Sequence, residues 1–404
     1  MFEHVPAFAG DPILSLMETY KADPRPEKVN LGIGIYSDDD GRLPVLDSVL
    51  AAQQQAIAQQ KGKPYLPMEG DAQYRAEVLR LVLGDGHADL TSGRVATVQT
   101  LGSSGGLKLG GEFIRRWGSG RIDVSDPTWE NHVSLFGDVG LAIAAYPYYD
   151  AATQGLRFDN LLAHMNTLPS GAAVLLHACC HNPTGVDLTP AQWDALIATM
   201  QARGLLPFLD MAYLGFGDGL DADAYAVRAL AASGMTFFLS LSFSKNMSVY
   251  GERCGALMVF CANPEEAGRV LGQLKFLVRT QYSSPPLHGG QLVAQVLSDP
   301  ALRAQWVGEL QAMCERMQAM RLALARELQA IWTEDGTQNG GGRSIDFLLQ
   351  QKGMFSYTGL SAGQADRLRE EFGIYVLRSG RLCVAGLTTR NVAYVARALA
   401  TVWA

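Results

Sequence analysis

Between about residues 94 and 262, short apolar runs alternate with longer segments of helical spacing. The runs that read as strands are RVATVQT (94–100), the start of RIDVSDPTWENHVSLF (121–136), AAVLLHACC (172–180), LLPFLD (205–210), MTFFLSL (235–241) and GALMVF (255–260). Turns and helical segments, such as residues 190–203, separate these runs. Regular alternation of this kind is typical of βα units, which assemble into a mostly parallel sheet covered by helices. The sequence therefore predicts an α/β fold.

The length of the chain and its C-terminal pattern predict two domains. A chain of 404 residues is too long for one ordinary domain. Residues 298–331 contain no Gly or Pro after Gly308, which predicts a long helix between the domains. Short strands and a helix follow, as in a smaller α+β domain. We expect an N-terminal arm and part of the small domain in residues 1–43, the large domain in 44–312 and the remaining small domain in 313–404.

Composition excludes several classes of protein. The chain has 40 acidic and 33 basic residues and no basic tract, so it lacks the electrostatic footprint of a nucleic-acid-binding protein. No run approaches 18 uninterrupted apolar residues, so we expect no membrane span. The N-terminus lacks a signal-peptide pattern, and six irregularly spaced cysteines read as reduced thiols. Together these features predict a cytoplasmic protein.

One cluster of potential metal ligands lies in the segment HACCH, which contains His177, Cys179, Cys180 and His181. If residues 172–180 form a strand, the two histidines should lie roughly 13 Å apart. Ligands at that separation cannot share one zinc ion, because zinc bonds are about 2 Å long. There is also no CxxC pair. We therefore expect no bound metal.

Polar residues end four of the predicted strands. They are the Gly/Ser loop GSSG (102–105), Asn182, Asp210 and Lys245. Each has an ordinary explanation: a plain turn for the loop and for Asn182, a helix cap or ion pair for Asp210, and a lysine reaching water for Lys245. The carboxyl ends of parallel strands meet at one edge of a sheet, where α/β proteins bind ligands. We therefore expect these four groups to lie together.

The chemistry of the four groups suits pyridoxal phosphate. A lysine partly shielded from water has a lowered pKa and can bind the aldehyde covalently. A Gly/Ser loop that opens a helix binds phosphate, and Arg253 and Ser242 near the lysine could assist. Asp210 could pair with a protonated pyridine nitrogen, and Asn182 with the phenolic oxygen. Trp129, at a strand-to-helix junction, could cover the ring, although a structural role is the simpler reading.

Eight motifs make the resemblance to a known family specific: NLGIGIY, YLPMEG, SDPTWENH, CCHNPTG, FLDMAYLGF, SFSKNMSVYGERCG, VRTQYSSPP and SGRLCVAGL. Over essentially its whole length the chain resembles the class I, fold type I, aminotransferases of the aspartate and aromatic amino acid subfamily. Within it the chain looks most similar to the bacterial aromatic-amino-acid (tyrosine) enzymes. The resemblance implies the PLP-dependent transferase fold of aspartate aminotransferase. That fold has a large domain with a mostly parallel seven-stranded sheet and a smaller α+β domain built from both termini.

The resemblance also implies how the cofactor is held. Lys245 would bind pyridoxal 5'-phosphate covalently and move the proton, Asp210 would keep the ring nitrogen protonated, and Tyr213 would assist as the third catalytic residue. His132 would lie behind Asp210. The other implied cofactor ligands are Ser103, Ser104, Trp129, Asn182, Ser242, Arg253 and Tyr65.

Substrate binding and assembly follow from the same resemblance. Arg381 would bind the substrate α-carboxylate and Arg279 a second carboxylate on the side chain. The other implied substrate contacts are Gly34, Trp129 and Asn182. Tyr65 and Arg279 would enter the site of a partner subunit, so the family pattern requires a homodimer. The Asn182–Pro183 and Asp126–Pro127 bonds are expected to be cis.

The expected reaction moves an amino group between Phe, Tyr, Trp or aspartate and 2-oxoglutarate by a ping-pong mechanism. At the expected pocket edge, Ile35, Leu43 and Pro64 are apolar where the aspartate-specific enzymes more often carry polar or mixed residues, and Ser104 and Ser284 match the small hydroxyls of the aromatic enzymes. Ser37 matches neither subfamily. Two alternatives stay open: a strict aspartate aminotransferase, and a PLP-dependent lyase or decarboxylase on the same fold.

Overall fold

A computed structural model describes residues 1–7, 10–60, 62–334 and 344–403. Its helices are α1 (Pro12–Ala22), α2 (Asp47–Ala58), α3 (Ala72–Leu83), α4 (Gly102–Trp117), α5 (Glu130–Asp138), α6 (Phe158–Thr167), α7 (Pro190–Arg203), α8 (Leu220–Asp223), α9 (Tyr225–Ser233), α10 (Pro264–Gln281), α11 (Leu287–Ser298), α12 (Pro300–Glu334), α13 (Asp346–Gln350), α14 (Ala362–Phe372) and α15 (Val392–Trp403). Its strands are β1 (Val29–Asn30), β2 (Val95–Leu101), β3 (Arg121–Asp126), β4 (Ala142–Pro147), β5 (Tyr149–Asp150), β6 (Gly155–Leu156), β7 (Ala173–His177), β8 (Leu206–Met211), β9 (Phe237–Ser242), β10 (Cys254–Phe260), β11 (Phe355–Tyr357), β12 (Ile374–Tyr375) and β13 (Arg381–Cys383).

Seven strands form the main sheet, in the order β2-β10-β9-β8-β7-β3-β4. Only β10 runs antiparallel to its two neighbours, and the other adjacent pairs are parallel. Every residue of β7, β9 and β10 is buried. Continuous apolar strands of this kind are typical of a sheet covered by helices on both faces. The predicted α/β fold with a mostly parallel seven-stranded sheet is confirmed.

Contacts divide the chain into two compact units. The large unit contains residues 44–315, and the small unit contains residues 1–43 and 316–404. In the small unit β1 pairs with β12 in parallel and β11 pairs with β13 antiparallel. Its core includes Leu324, Leu368 and Leu399, all fully buried. The large unit has its own core, built from the sheet and from α4, α5 and α10.

Local sequence signals account for the helix ends. Thr189 caps α7 in a reciprocal pair with Gln192, and Pro190 occupies the first turn. Gly204 ends the same helix in the left-handed region, at φ 63°. These signals explain why the predicted helix 190–203 has the observed bounds. Asn263 likewise caps α10 by accepting a hydrogen bond from the Glu266 backbone.

One predicted strand is too long. The run 172–180 was expected to be extended throughout, but β7 ends at His177. The chain then turns, with Cys180 at φ 52°. The Asp187 carboxylate stabilises the turn by accepting hydrogen bonds from the Cys180 and His181 backbone at 2.7 and 2.8 Å. Because of this turn the rings of His177 and His181 lie 4.3 Å apart between centroids. The expected separation of roughly 13 Å was therefore wrong.

Other features of the covalent chain agree with the sequence. The Asp126–Pro127 and Asn182–Pro183 peptide bonds are both cis, as predicted. All six cysteines are free thiols and all are buried. Across the described ranges, we find no helix that combines the length and the hydropathy needed to cross a membrane.

Candidate functional site

Lys245 lies just beyond β9, where the strand ends in a tight turn. The turn is closed by a hydrogen bond from Ser248 N to Lys245 O at 3.1 Å. The lysine is partly buried, and its Nζ lies 4.9 Å from the centroid of the Tyr213 ring. Tyr213 itself follows the neighbouring strand β8 and is 5% exposed. The parallel order of β8 and β9 thus brings the amine and the phenol together.

Asp210 lies in β8, close to its carboxyl end, and is buried at 3% exposure. Its Oδ2 lies 3.0 Å from His132 Nε2. Its Oδ1 is buried and accepts a hydrogen bond from none of the described residues. Burial alone would raise the pKa of this carboxyl group, but the hydrogen bond from His132 and the positive charge of Lys245 lower its pKa overall. Asp210 therefore presents an ionised carboxylate with one unshared oxygen.

The histidine behind Asp210 has a defined hydrogen-bond direction. An ionised carboxylate can only accept, so His132 Nε2 donates to Asp210. His132 Nδ1 lies 2.8 Å from Thr128 Oγ1, whose hydroxyl can donate to a neutral ring. His132 is fully buried on α5. These two hydrogen bonds orient the Nε2 proton of His132 towards Asp210, and His132 lies behind Asp210, where the sequence predicted it.

His177 extends this cluster in a way that the sequence did not predict. The centroid of its ring lies 5.3 Å from the ring centroid of His132 and 4.3 Å from that of His181. Burial lowers the pKa of His177 to about 3 and the pKa of His181 well below its ordinary value. Both rings are therefore neutral near pH 7. Only the position of His177, one strand from Asp210, could have indicated this arrangement.

The structure brings together two sets of potential metal ligands that differ from the set considered in the sequence. One set is Cys179, Cys180 and Asp223, and the other contains His177. Ligand atoms of His132, His177 and Asp210 lie within 4.8 Å of one another. Two of these residues are already hydrogen-bonded to each other through His132 Nε2 and Asp210 Oδ2. The expectation that no metal binds stays a prediction.

The predicted phosphate site lies at the start of α4. The preceding residue, Leu101, gives the helix no side-chain cap, so no cap occupies the first backbone N–H groups of α4. Gly102 has φ 64°, and a Cβ there would lie 2.7 Å from Arg253 Nη2. Ser103 is buried on the first turn. The helix end and the guanidinium therefore enclose a cradle that only glycine leaves open.

Arg253 is itself held in place by the turn after Lys245. Its backbone adopts φ 53°, and its Nη1 donates to Ser244 Oγ at 3.2 Å and to Tyr250 O at 3.1 Å. Ser242 Oγ accepts a hydrogen bond from the Ser244 backbone at 3.2 Å. The short spacing between Ser242, Lys245 and Arg253 in the sequence thus corresponds to one compact turn.

Asn182 and Trp129 complete the polar edge of the large unit. Asn182 is 4% exposed and directly follows His181. Trp129 precedes α5, is partly buried and meets the His132 ring edge-on at 5.2 Å between centroids. Ser104, on the first turn of α4, is partly buried.

Two predicted site residues of the large unit are exposed. Tyr65 is 95% exposed and lies in the loop before α3. Arg279 is exposed in the last turn of α10, where its Nη1 donates to Ser283 Oγ. Neither residue has a described contact with the Lys245 turn, so the sequence expectation that they serve another subunit stays a prediction.

Arg381 and Gly34 belong to the small unit. Arg381 is 1% exposed, and its guanidinium lies 4.2 Å from the centroid of the Phe355 ring. Its Nη2 donates to Gly32 O at 2.8 Å. A Cβ on Gly34 would lie 2.9 Å from Phe355 Cζ, so glycine is needed here for the ring to pack. Within this unit the two predicted substrate residues therefore meet at one phenylalanine.

The groups of the large unit fit pyridoxal phosphate. The unshared Oδ1 of Asp210 is a buried acceptor of the kind that a protonated ring nitrogen needs. The open helix end beside Arg253 offers donors to a phosphate. Lys245 supplies an amine within the same unit. These residues could hold the cofactor that the sequence led us to expect.

Comparison with known proteins identifies the relatives of this chain. The profile of the family described as aminotransferase class I and II matches residues 26–399. The aromatic-amino-acid aminotransferase of Escherichia coli K12 is 54% identical over 404 residues, with 100% of both chains covered.

Two solved structures extend this likeness to three dimensions. The aromatic-amino-acid aminotransferase of Burkholderia pseudomallei, covalently bound to pyridoxal phosphate, is 49% identical with a TM-score of 0.95 and 100% coverage of both chains. The aromatic amino acid aminotransferase of Psychrobacter sp. B6, cocrystallised with aspartic acid, is 49% identical with a TM-score of 0.95, covering 100% of this chain and 99% of that one.

Proposed function

We propose that this chain, which belongs to the class I and II aminotransferase family, transfers amino groups between aromatic amino acids or aspartate and 2-oxoglutarate with pyridoxal phosphate bound to Lys245. The observation that carries this proposal is the buried, unshared Oδ1 of Asp210 in the same unit as Lys245. A buried carboxylate with a free oxygen is costly unless a cationic group meets it. A protonated pyridine nitrogen is such a group.

Asp210 acts by keeping a proton on the ring nitrogen. When bound, pyridoxal phosphate supplies an aldehyde that accepts the amino group and a ring that takes up the electron pair released at the substrate Cα. The lowered pKa of Asp210 keeps its carboxylate charged, and His132 fixes the orientation of that carboxylate. The positive charge on the nitrogen is thereby stabilised throughout the reaction.

Lys245 provides the amine and carries the proton. Its Nζ lies over the Tyr213 ring, whose hydroxyl we assign, with Asn182, to the phenolic oxygen of the cofactor. Partial burial limits the hydration of the amine, which favours its action as a general base at Cα. The ping-pong mechanism needs this base in both half-reactions.

The remaining cofactor ligands anchor the phosphate and the ring. We assign the phosphate to the α4 N-terminus with Ser103, Ser104, Ser242 and Arg253, because these groups offer N–H and O–H donors around one positive charge. We assign Trp129 to one face of the ring. Residues 44–312 would accordingly act as the cofactor-binding domain.

We assign the two substrate carboxylates to two arginines. Arg381 would bind the α-carboxylate and Arg279 the side-chain carboxylate, each through its planar two-pronged guanidinium. The exposure of Arg279 and Tyr65 supports a homodimer in which both residues serve the partner subunit. The six free cysteines favour the cytoplasm as its location.

Dual specificity is supported by the relatives and by the arginine itself. The relatives include an aromatic-amino-acid aminotransferase and a structure cocrystallised with aspartic acid. Arg279 is exposed and hydrogen-bonds to Ser283, four residues along the chain, so it can move away from an aromatic side chain at low energetic cost. Burial of an aromatic ring contributes a few kcal/mol at about 25 cal/mol per Å², comparable with one charged pair.

The first test measures glutamate formation from phenylalanine and from aspartate with 2-oxoglutarate and pyridoxal phosphate. We expect turnover of both donors and none with Lys245→Ala. In Arg279→Leu, kcat/KM for aspartate should fall by about 10- to 100-fold, because one charge-assisted pair is lost. In the same variant, kcat/KM for phenylalanine should change by less than about threefold.

Arg269→Leu is the matched control, since Arg269 lies on the same helix and is exposed beside Glu265. It should leave both donors unaffected. Turnover of aspartate alone would contradict dual specificity, and release of ammonia or carbon dioxide without glutamate would contradict aminotransfer.

A further inference from the structure

Asn246, the residue after Lys245, is fully buried although its side chain is polar. Its Nδ2 donates to Leu214 O at 3.2 Å. Its Oδ1 is buried and receives no hydrogen bond from the described residues. A buried amide that donates one hydrogen bond and accepts none destabilises the fold relative to an apolar side chain of similar size. Packing alone therefore does not account for an asparagine at this position.

The hydrogen bond of Asn246 joins the two segments that carry the proposed catalytic groups. Leu214 directly follows Tyr213, and Asn246 directly follows Lys245. The amide thus ties the chain after β8 to the chain after β9. Between these segments lies the contact of Lys245 Nζ with the Tyr213 ring, at 4.9 Å from the ring centroid.

Helix α12 holds both segments from one face. Trp306 is fully buried, and its Nε1 donates to Asn246 O at 2.8 Å. Leu310, four residues later and so on the same helix face, packs at Gly215, where a Cβ would lie 2.4 Å from Leu310 Cδ2. Gly215 has φ 94°, a conformation that glycine alone adopts readily.

A carboxylate restrains the Tyr213 segment from another side. Asp223 Oδ2 accepts hydrogen bonds from Gly215 N at 2.8 Å and Gly217 N at 3.0 Å. This loop is thus held by Asp223, and the Asn246 side chain links it to the lysine segment through the hydrogen bond to Leu214 O. Removal of the Asn246 side chain would remove this hydrogen bond between the two segments.

We propose that Asn246 and Trp306 are positioning residues that set the place of Lys245 Nζ relative to the Tyr213 ring. The proposal rests on the proposed function, because it concerns the amine to which that function assigns proton transfer. A general base misplaced by even about 1 Å can lower the rate by 100-fold. Asn246 and Trp306, which we call the clamp, act through Lys245. Neither residue is required to contact substrate.

The test compares Asn246→Ala and Trp306→Phe with the unaltered protein. In cofactor-free protein, the reactivity of Lys245 is measured by trace labelling with acetic anhydride across a pH series and mass spectrometry of its peptide. We expect the labelling profile of Lys245 to shift in both variants. With cofactor, kcat should fall by about 10- to 100-fold for both donors, while KM changes by less than about threefold.

Tyr146→Phe is the matched control, because Tyr146 is buried and its hydroxyl donates to a backbone carbonyl, that of Leu175, at 2.7 Å. Tyr146→Phe should lower the thermal midpoint of unfolding by an amount similar to that in Asn246→Ala and Trp306→Phe. It should leave the labelling profile of Lys245 and kcat unchanged. An unaltered labelling profile in both Asn246→Ala and Trp306→Phe would overturn the proposal. So would a kcat loss that Tyr146→Phe reproduces.

The labelling also separates this proposal from the proposed function. If the unaltered protein forms no glutamate but the Lys245 profile shifts in both variants, the function fails and the clamp stands. If the protein forms glutamate and the profile does not shift, the function stands and the clamp fails. Trp306→Phe keeps an aromatic side chain at this buried position. If Asn246→Ala does not fold, the Lys245 labelling profile of Trp306→Phe decides the test.

Discussion

Each unit of the molecule buries one charged group of the proposed site, and the two environments differ. In the large unit, Asp210 is 3% exposed and is hydrogen-bonded by a side chain, His132. In the small unit, Arg381 is 1% exposed and contacts a backbone carbonyl, Gly32 O, and the face of the Phe355 ring. The carboxylate is therefore oriented by an imidazole side chain, whereas the guanidinium contacts a backbone carbonyl and an aromatic face.

This difference matches the task proposed for each residue. A carboxylate that must keep a proton on a bound ring benefits from a hydrogen-bond chain that can be tuned, such as Thr128–His132–Asp210. An arginine that must bind a carboxylate at any working pH benefits from a carbonyl and an aromatic face. The comparison predicts that changes at Asp210 affect the chemical step, and that changes at Arg381 affect substrate binding.

The largest expected effect comes from Asp210→Asn. An amide cannot stabilise a protonated ring nitrogen, so kcat should fall on the order of 100- to 1,000-fold for both donors. Steady-state kinetics with phenylalanine and aspartate measures this loss. Asp123→Asn is the control, because Asp123 is fully buried on β3 and pairs with Arg121. A comparable kcat loss in both variants would mean that Asp210 is a structural charge.

A smaller effect is expected from Arg381→Lys. Lysine keeps the charge but loses the planar fork and the stacking on Phe355, so kcat/KM should fall by about 100-fold for both donors. The loss should appear mainly in KM. Arg25→Lys, which alters an arginine paired with Asp23 in the same unit, should leave kcat/KM unchanged. An effect on aspartate alone would assign Arg381 to the side-chain carboxylate instead.

The smallest expected effect is a difference in acid sensitivity between the units. The folded pKa of His177 is about 3, whereas an unfolded histidine has a pKa of about 6.5. Between these values the unfolded state binds the extra proton, so the free energy of unfolding falls as the pH falls. His177 alone contributes a slope of about 1.4 kcal/mol per pH unit. His181 acts in the same direction.

Hydrogen exchange of cofactor-free protein between pH 5 and 6.5 measures this difference segment by segment. As the pH is lowered from 6.5 to 5, the opening free energy of β8 in the large unit should decrease more steeply than that of β13 in the small unit. His177→Asn should remove up to about 1.4 kcal/mol per pH unit from the slope of β8 and leave that of β13 unchanged. Equal slopes for β8 before and after the substitution would show that the His177 cluster does not titrate as described.

Much of the site could be predicted because it depends on local sequence and on the rule for parallel strands. Asp210, Lys245 and the Gly102 loop each end an apolar run, and parallel strands bring such ends to one edge. The resemblance in eight motifs then supplied roles that spacing alone could not. The separation of His177 and His181 was predicted wrongly, because a turn stabilised by Asp187 lies where the apolar pattern continues.

The sequence by itself determined the α/β class, the helix bounds set by caps such as Thr189, and the family to which the chain belongs. These depend on periodicity, capping residues and motifs, which are local. Tertiary structure alone decided which oxygen of Asp210 stays unshared, that Phe355 faces Arg381, and that Trp306 holds the residue after Lys245. Those outcomes join residues that lie tens of positions apart. They follow from the packing of whole elements, which no local pattern encodes.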